Sequence, residues 1–204
     1  MPGGAPLQAQ QRAWLELTLP TPVTRATTQG PVVSAHDMLE GARMREPLDA
    51  GFPARFHVRV ELWSAGGLFN QLERHLEYDL LVHFIALEKV YEVLLVENDR
   101  PFSLGKFVRM EDAERALARP RRVPVTAPSN RRQMYYQVTL EAENLSVSDL
   151  DDLNRWLRGE LQPAIRGQRN PGTALTRGLR SLTARLLGGG TREYVATSQR
   201  FRVR

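Results

Sequence analysis

Apolar and polar residues alternate with a period of two along several segments of the chain. The clearest segment is 55–63, whose apolar side consists of Phe56, Val58, Val60 and Leu62. Its other side consists of Arg55, His57, Arg59 and Glu61. One apolar and one polar face are typical of an antiparallel strand that packs on a core from a single side. We therefore predict a strand at 55–63 whose charged face is exposed to water.

The same alternation predicts further strands. They lie at residues 14–19, 32–39, 77–85, 90–96, 133–143 and 193–203. Turn-forming residues separate neighbouring strands, as in the Glu-Asn-Asp-Arg-Pro run at 97–101. Tyr78, Tyr91 and Tyr136 fall on the apolar faces, so we expect their rings in the core and their hydroxyls hydrogen-bonded. Many strands at hairpin spacing favour an antiparallel sheet over βαβ units.

Helical periodicity is confined to a few segments. Short helices are predicted at 42–50 and 110–119, and longer ones after Ser146 or Ser148, which can cap free N–H groups, and at 174–187. The predicted fold class is therefore mainly β, an antiparallel β-sandwich with two or three peripheral helices. The predicted organisation has three parts. They are a disordered N-terminus or signal-peptide remnant (1–12), a β-sandwich domain (13–160), and an Arg-rich helix plus a terminal strand that pack on the same domain (161–204).

Three segments together resemble a bacterial family, domain of unknown function 4390. They are Gly51-Phe-Pro53 leading into Phe56 to Trp63, Tyr78-Asp-Leu80 followed by Tyr91-Glu-Val93, and the Ser/Asp/Leu run from Leu145 to Leu157. The resemblance covers roughly residues 32–160. It implies an exported bacterial protein, and it implies no reaction, because the family has none assigned. Ala9 before Gln10, after a Pro/Gly-rich start, agrees with the end of an export signal.

Charge is distributed unevenly along the chain. The whole sequence has 28 basic and 23 acidic residues, a formal charge of +5. Residues 161–204 contain nine Arg and one acid, which gives +8, so residues 1–160 carry −3. An uneven distribution of this kind points to association with an acidic partner. The alternative is that the arginines form a solvated surface that serves solubility. The chain has 26 Arg and only two Lys, a ratio that GC-rich codon usage alone would produce.

The predicted binding residues lie in this basic part of the chain. They are Arg166, Arg169, Arg177, Arg180, Arg185 and Arg192. Arginines beside a leucine stripe make a basic amphipathic helix, which can lie on an anionic membrane or dock in the groove of a protein. The alternative is that the leucine stripe covers one end of the sandwich and the arginines face water.

No catalytic, cofactor-binding or metal-binding residue is predicted. The chain has no cysteine, which excludes disulfides, thiolate metal ligands and cysteine nucleophiles. His57 and His83 lie on outward faces of two predicted strands and would approach each other only if those strands pair. Asp79, also outward, is expected to form a surface ion pair with Arg59.

The sequence therefore favours a non-enzymatic, exported bacterial domain that binds a protein partner or an anionic envelope surface. A periplasmic or otherwise exported location is expected, with a cytoplasmic one as the alternative. No apolar run approaches the roughly 18 residues of a membrane span, so no transmembrane segment is predicted. Two other functions stay open. Nucleic-acid binding would use the arginines at 119–122, 131–132 and the C-terminal part, although the net charge of −3 over residues 1–160 disfavours it. An enzyme would need a site assembled from scattered residues.

Overall fold

The chain folds into two antiparallel sheets that pack face to face, which confirms the predicted β-sandwich. The computed structural model describes residues 14–66, 69–98, 100–129, 132–146, 155 and 192–203. In chain order the strands of this part are β1 (Trp14–Thr18), β2 (Val32–His36), β3 (Ala54–Ala65), β4 (Gln71–Ile85), β5 (Val90–Glu97), β6 (Arg100–Phe107), β7 (Arg121–Arg122), β8 (Gln133–Asn144), β9 (Arg192–Thr197) and β10 (Phe201–Arg202). A three-stranded sheet has the order β1-β2-β7. A seven-stranded sheet has the order β10-β8-β3-β4-β5-β6, with β9 also paired to β8.

The core lies between the two sheets, on the face that the two-residue alternation selects. Phe56, Val58 and Val138 are at most 1% exposed, as predicted. Tyr78 and Tyr136 are buried in the same core, and the Tyr136 hydroxyl donates a 2.7 Å hydrogen bond to the Val125 carbonyl. The expected role is therefore confirmed for Tyr136, and the ring of Tyr78 lies in the core as expected. Tyr91 is partly buried against this core, and its hydroxyl donates to Asp49 Oδ1.

Two α-helices and one 3₁₀ turn lie in the described residues. They are α1 (Ala42–Asp49), α2 (Met110–Leu117) and the 3₁₀ turn Val23–Thr27. Both α-helices match predicted segments, and α2 stops before Pro120 because proline cannot continue a helix. Of the helix predicted after Ser146, only Arg155 is described, and it is helical. The helix predicted at 174–187 falls outside the described residues.

The edge strand β6 was not predicted from the sequence. It contains Pro101 and Gly105, two residues that are depleted in strands, which hides its pattern. Gly105 has a φ of +139°, beside a register shift between Val93 and Leu94 on the neighbouring strand. Proline and a bulge are common at sheet edges, where a fully regular strand would invite pairing with another chain.

The outer face of β3 corrects a second prediction. Arg55, His57 and Glu61 were expected to face water, but each is no more than 7% exposed. They lie on the side of the large sheet that faces away from the sandwich core, and a second small apolar cluster of Leu81, Leu94 and Leu145 lies on this side too. Three side chains on the outer face of β3 are therefore buried, whereas Arg59 on the same face is partly exposed.

The predicted strand at 193–203 consists of two short strands, β9 and β10, that run beside β8 in turn. The link between them is fixed to the middle of β8, because the backbone N–H of Ser198 donates to the Tyr136 carbonyl and Ser198 Oγ accepts from the Tyr136 N–H. Phe201 then stacks on Tyr136, with ring centroids 5.4 Å apart. This anchoring places the C-terminal residues at one end of the sandwich.

Candidate functional site

The binding residues predicted from the sequence lie mostly outside the described residues. Arg166, Arg169, Arg177, Arg180 and Arg185 belong to that part. Arg192 is described and begins β9 opposite Ala142, with its side chain partly exposed. The predicted concentration of positive charge can therefore be located in the structure only at the C-terminal strands, which are described.

Four segments that are distant in sequence meet at one end of the sandwich. They are the described residues of 20–29, 63–75, 126–135 and 198–203, which we call the basic end. The Ala127 N–H donates to the Ala26 carbonyl at 2.7 Å, and Asn70 Nδ2 donates to Tyr135 Oη at 3.1 Å. Phe201 packs on Tyr136 and β10 contacts the 3₁₀ turn. These contacts hold the four segments together as one surface.

The charge of the basic end is strongly one-sided. Its described residues contain five arginines, namely Arg25, Arg74, Arg132, Arg200 and Arg202, and one carboxylate, Glu73. All five arginines are exposed. Arg132 Nη1 lies 3.4 Å from Glu73 Oε1, so the single acid is already paired. Excess positive charge is therefore concentrated on this end.

The other arginines of the basic end bind neutral groups or face water. Arg25 Nη1 donates to the Thr21 carbonyl at 3.1 Å, and Arg74 Nη1 donates to Thr126 Oγ1 at 2.6 Å. Within the described part of the chain, Arg200 and Arg202 form no ion pair. Neutral acceptors orient a guanidinium but leave its charge uncompensated, so these side chains are available to an anion from outside.

The opposite end of the sandwich has the opposite sign. We define this far end as residues 37–53, 85–92, 106–117 and 143–146, all of them described, which contain ten acidic and six basic residues. Its segments are linked by bonds such as Tyr91 Oη to Asp49 Oδ1 at 2.8 Å and Lys106 Nζ to Glu88 Oε2 at 2.8 Å. The described residues are therefore positive at one end of the long strands and negative at the other, and such a charge distribution becomes oriented in the field of a charged surface.

An exposed aromatic side chain projects from the basic end. Phe69, in the connection between β3 and β4, is 85% exposed. The next residue, Asn70, is fixed to Tyr135, so the base of this hairpin connection is attached to β8. An exposed phenyl ring surrounded by cations is a surface feature that favours binding of a partner.

A buried ion-pair network lies on the outer face of the large sheet and was missed by sequence reasoning. Arg55 donates from Nε and Nη2 to Asp79 Oδ1, both at 2.9 Å, and from Nη1 to Glu143 Oε1 at 2.9 Å. His57 Nδ1 lies 2.9 Å from the same Asp79 oxygen. Because Arg55 joins carboxylates of β4 and β8 across β3, the network ties three strands together. The sequence shows opposite charges at these positions, but only the register of the strand pairs shows that the side chains are neighbours.

Asp79 has a different partner from the one predicted. Arg59 contacts Glu61 at 2.6 Å and Glu77 at 3.5 Å, whereas Asp79 binds Arg55 and His57. Burial by itself would raise the pKa of the Asp79 carboxyl, but the His57 hydrogen bond and the Arg55 charge outweigh it and lower that pKa. The register explains the difference, because Arg59 lies opposite Glu77 and His57 lies opposite Asp79.

The two outward histidines do not meet, although β3 and β4 do pair. His57 lies opposite Asp79, and His83 is four residues further along β4, about 13 Å away at strand rise. His83 Nε2 instead lies 3.2 Å from Glu92 Oε2. Each histidine therefore contacts carboxylates of its own surroundings.

Arginines 119–122, proposed for nucleic-acid binding, lie away from the basic end. Arg121 and Arg122 form β7 and pair with Val33 and Val32 of β2. Arg122 Nη1 donates to the Gly30 carbonyl at 3.2 Å, and Arg121 lines a small cavity beside Tyr78 between the sheets. Of the arginine pair at 131–132, only Arg132 is described, and it belongs to the basic end. Arg121 and Arg122 thus belong to the small sheet, whereas Arg132 contacts β4 of the large sheet.

The two described α-helices are short, with eight residues each. In the part of the chain that is described, every helix is too short or too polar to cross a bilayer. Comparison with protein-family models, curated proteins and solved structures finds no match to this chain. The resemblance to domain of unknown function 4390 therefore stays a prediction, and the site geometry is the basis for any functional proposal.

Proposed function

We propose that this protein is a non-enzymatic, exported bacterial domain that binds an acidic partner surface through its basic end. The observation that carries the proposal is that, where four segments converge, the described residues contain five exposed arginines and one carboxylate. The sequence agrees, because Arg200 and Arg202 belong to the +8 stretch at 161–204. Export is supported by the resemblance to domain of unknown function 4390.

The binding energy in this proposal is electrostatic. A cation near an anionic surface contributes about 1 kcal/mol, and the effect decays within a Debye length of about 8 Å at physiological salt. Binding should therefore weaken steeply as salt is added. The acidic far end should point away from the partner, because like charges repel.

Heparin-agarose chromatography with a salt gradient tests the proposal. We expect the wild-type protein to be retained and the Arg200→Glu/Arg202→Glu variant to elute at clearly lower salt. Loss of the two cations alone should weaken affinity by about 2 kcal/mol, or about 30-fold. The matched control is Arg43→Glu/Lys89→Glu, which changes net charge equally at two exposed residues of the far end.

The control variant should elute near the wild-type position. Passage of the wild-type protein without retention would overturn the proposal. So would an equal loss of retention in both variants, because it would show that net charge matters and the position of the charge does not.

A further inference from the structure

We infer that the acidic partner is an anionic lipid bilayer and that Phe69 is the side chain that enters it, an inference that rests on the function proposed above. The hairpin connection between β3 and β4 presents Phe69 with 85% of its surface exposed, in the middle of the basic end. Transfer of a phenyl ring from water into the acyl boundary of a bilayer is favourable. The polar groups beside it would stay at the level of the lipid headgroups.

The arginines are placed to bind lipid phosphates around the inserted ring. Arg74 lies on β4, which begins two residues after Phe69, and Arg132 contacts Glu73 of the same strand. Arg202 lies opposite Gln133, which in turn lies opposite Ala65 at the start of the hairpin connection. Two strand spacings separate Arg202 from Ala65, about 10 Å. Cations therefore lie on two sides of the hairpin, within reach of neighbouring headgroups.

A bilayer fits this surface better than a nucleic acid or an acidic peptide does. Proteins that bind single-stranded nucleic acid place aromatic rings along a groove, where successive bases stack on them. A peptide groove would bury its apolar anchor in a concave site. Phe69 is instead exposed at the same end of the sandwich as the five exposed arginines of the described residues, which fits an interfacial anchor. The ten acidic residues of the far end would be repelled by an anionic leaflet, so they favour an approach with Phe69 first.

Vesicle sedimentation measures this binding directly. Vesicles of phosphatidylcholine with phosphatidylglycerol should bind the wild-type protein in a salt-sensitive way, and vesicles of phosphatidylcholine alone should bind it weakly. Phe69→Ala should lower the partition coefficient on the anionic vesicles by about tenfold. The matched control is Leu87→Ala, which removes an apolar side chain that is 96% exposed at the far end. It should bind like the wild type.

Insertion of residue 69 can be observed separately, because the chain contains no cysteine. We would attach an environment-sensitive NBD fluorophore to Phe69→Cys and, as the control, to Leu87→Cys. Anionic vesicles should shift the emission of the label at 69 to shorter wavelength and leave that of the label at 87 unchanged. A label at 69 that stays in water on vesicle-bound protein would overturn the inference, as would a Phe69→Ala variant that binds vesicles like the wild type.

Failure of the inference is distinguishable from failure of the proposed function. Retention on heparin without binding to anionic vesicles would overturn the inference that the partner is a bilayer. The proposal that the partner is acidic would stand. Loss of affinity for a thymidine oligonucleotide in Phe69→Ala, with vesicle binding unchanged, would assign the surface to nucleic acid and overturn the bilayer. A wild-type protein that binds neither heparin nor vesicles would overturn both proposals.

Discussion

The side chain of Arg55 shows how a buried charge is accommodated on the outer face of the large sheet. Arg55 is 4% exposed, and its guanidinium donates to the carboxylates of Asp79 and Glu143. A buried charge without a partner costs several kcal/mol, so each member of the network depends on the others. The network fixes the register of β4 and β8 against β3, because a slip of one residue would move these side chains to the other face.

Asp79→Asn should destabilise the protein by about 1.5–3 kcal/mol, because the hydrogen bonds from Arg55 and His57 lose their charged acceptor. The matched control is Asp112→Asn, whose carboxylate binds Arg109 and Arg115 at the surface of α2. Solvent-exposed pairs of this kind contribute little to stability, so this variant should unfold close to the wild type. Urea unfolding monitored by circular dichroism measures both values. Equal losses would show that Asp79 has no special role.

The pH dependence of the unfolding free energy should also show the contribution of Asp79. The folded protein lowers the pKa of Asp79, so near pH 4 the unfolded chain holds this proton more tightly. The stability that Asp79 contributes is therefore complete above the unfolded value of about 3.9 and is lost as pH falls through the lowered folded value. Asp79→Asn should flatten the decline of the unfolding free energy between about pH 6 and pH 2. An unchanged slope would contradict this assignment.

At the scale of elements, the small sheet depends on a close backbone approach between the start of β2 and the chain after β7. The Val123 N–H donates to the Pro31 carbonyl at 2.9 Å. A Cβ on Gly30 would lie 1.7 Å from the Val123 carbonyl oxygen, so only glycine fits between the two segments. The sequence marks Gly30 only as a loop residue, since the segment that it meets is more than ninety positions away.

Gly30→Ala should therefore cost about 3 kcal/mol, because the added methyl group forces the two backbones apart. Gly66→Ala is the control, since a Cβ there meets nothing within 4 Å, and its effect should stay within about 0.5 kcal/mol. Thermal and urea denaturation measure the difference. A Gly30→Ala protein as stable as Gly66→Ala would show that the small sheet can shift without cost.

The whole molecule combines a stable centre with a polar distribution of charge. β3 is paired along its length by both β4 and β8, and most of its residues are buried. β6 is paired on one side only and its first four residues are exposed. The long central strands thus connect the basic end to the acidic far end through the best-protected part of the fold.

Hydrogen exchange should follow this arrangement. Amides of β3 should exchange most slowly, near the rate set by global unfolding, and amides of β6 should exchange through local opening. Exchange measured by mass spectrometry or NMR at neutral pH tests the order. Protection of β6 equal to that of β3 would mean that the edge strand opens only with the whole domain.

The sequence by itself determined the fold class and most strands, because alternation of apolar residues is a local property that survives in any register. It therefore predicted β3, β8 and their shared apolar face. It failed where local composition misleads, as for β6, whose Pro101 and Gly105 fit an edge but not a central strand. It also predicted where positive charge is concentrated along the chain.

Only the tertiary structure decided what lies on the second face of β3 and which arginines share a surface. Arg55 meets Asp79 and Glu143 because two strand pairings bring positions 24 and 88 residues away to its side chain. Arg74 and Arg202 lie at the same end of the sandwich as Phe69 for the same reason, since strand register sets their places. Such contacts depend on pairing between distant segments, and periodicity within one segment contains no information about its partner.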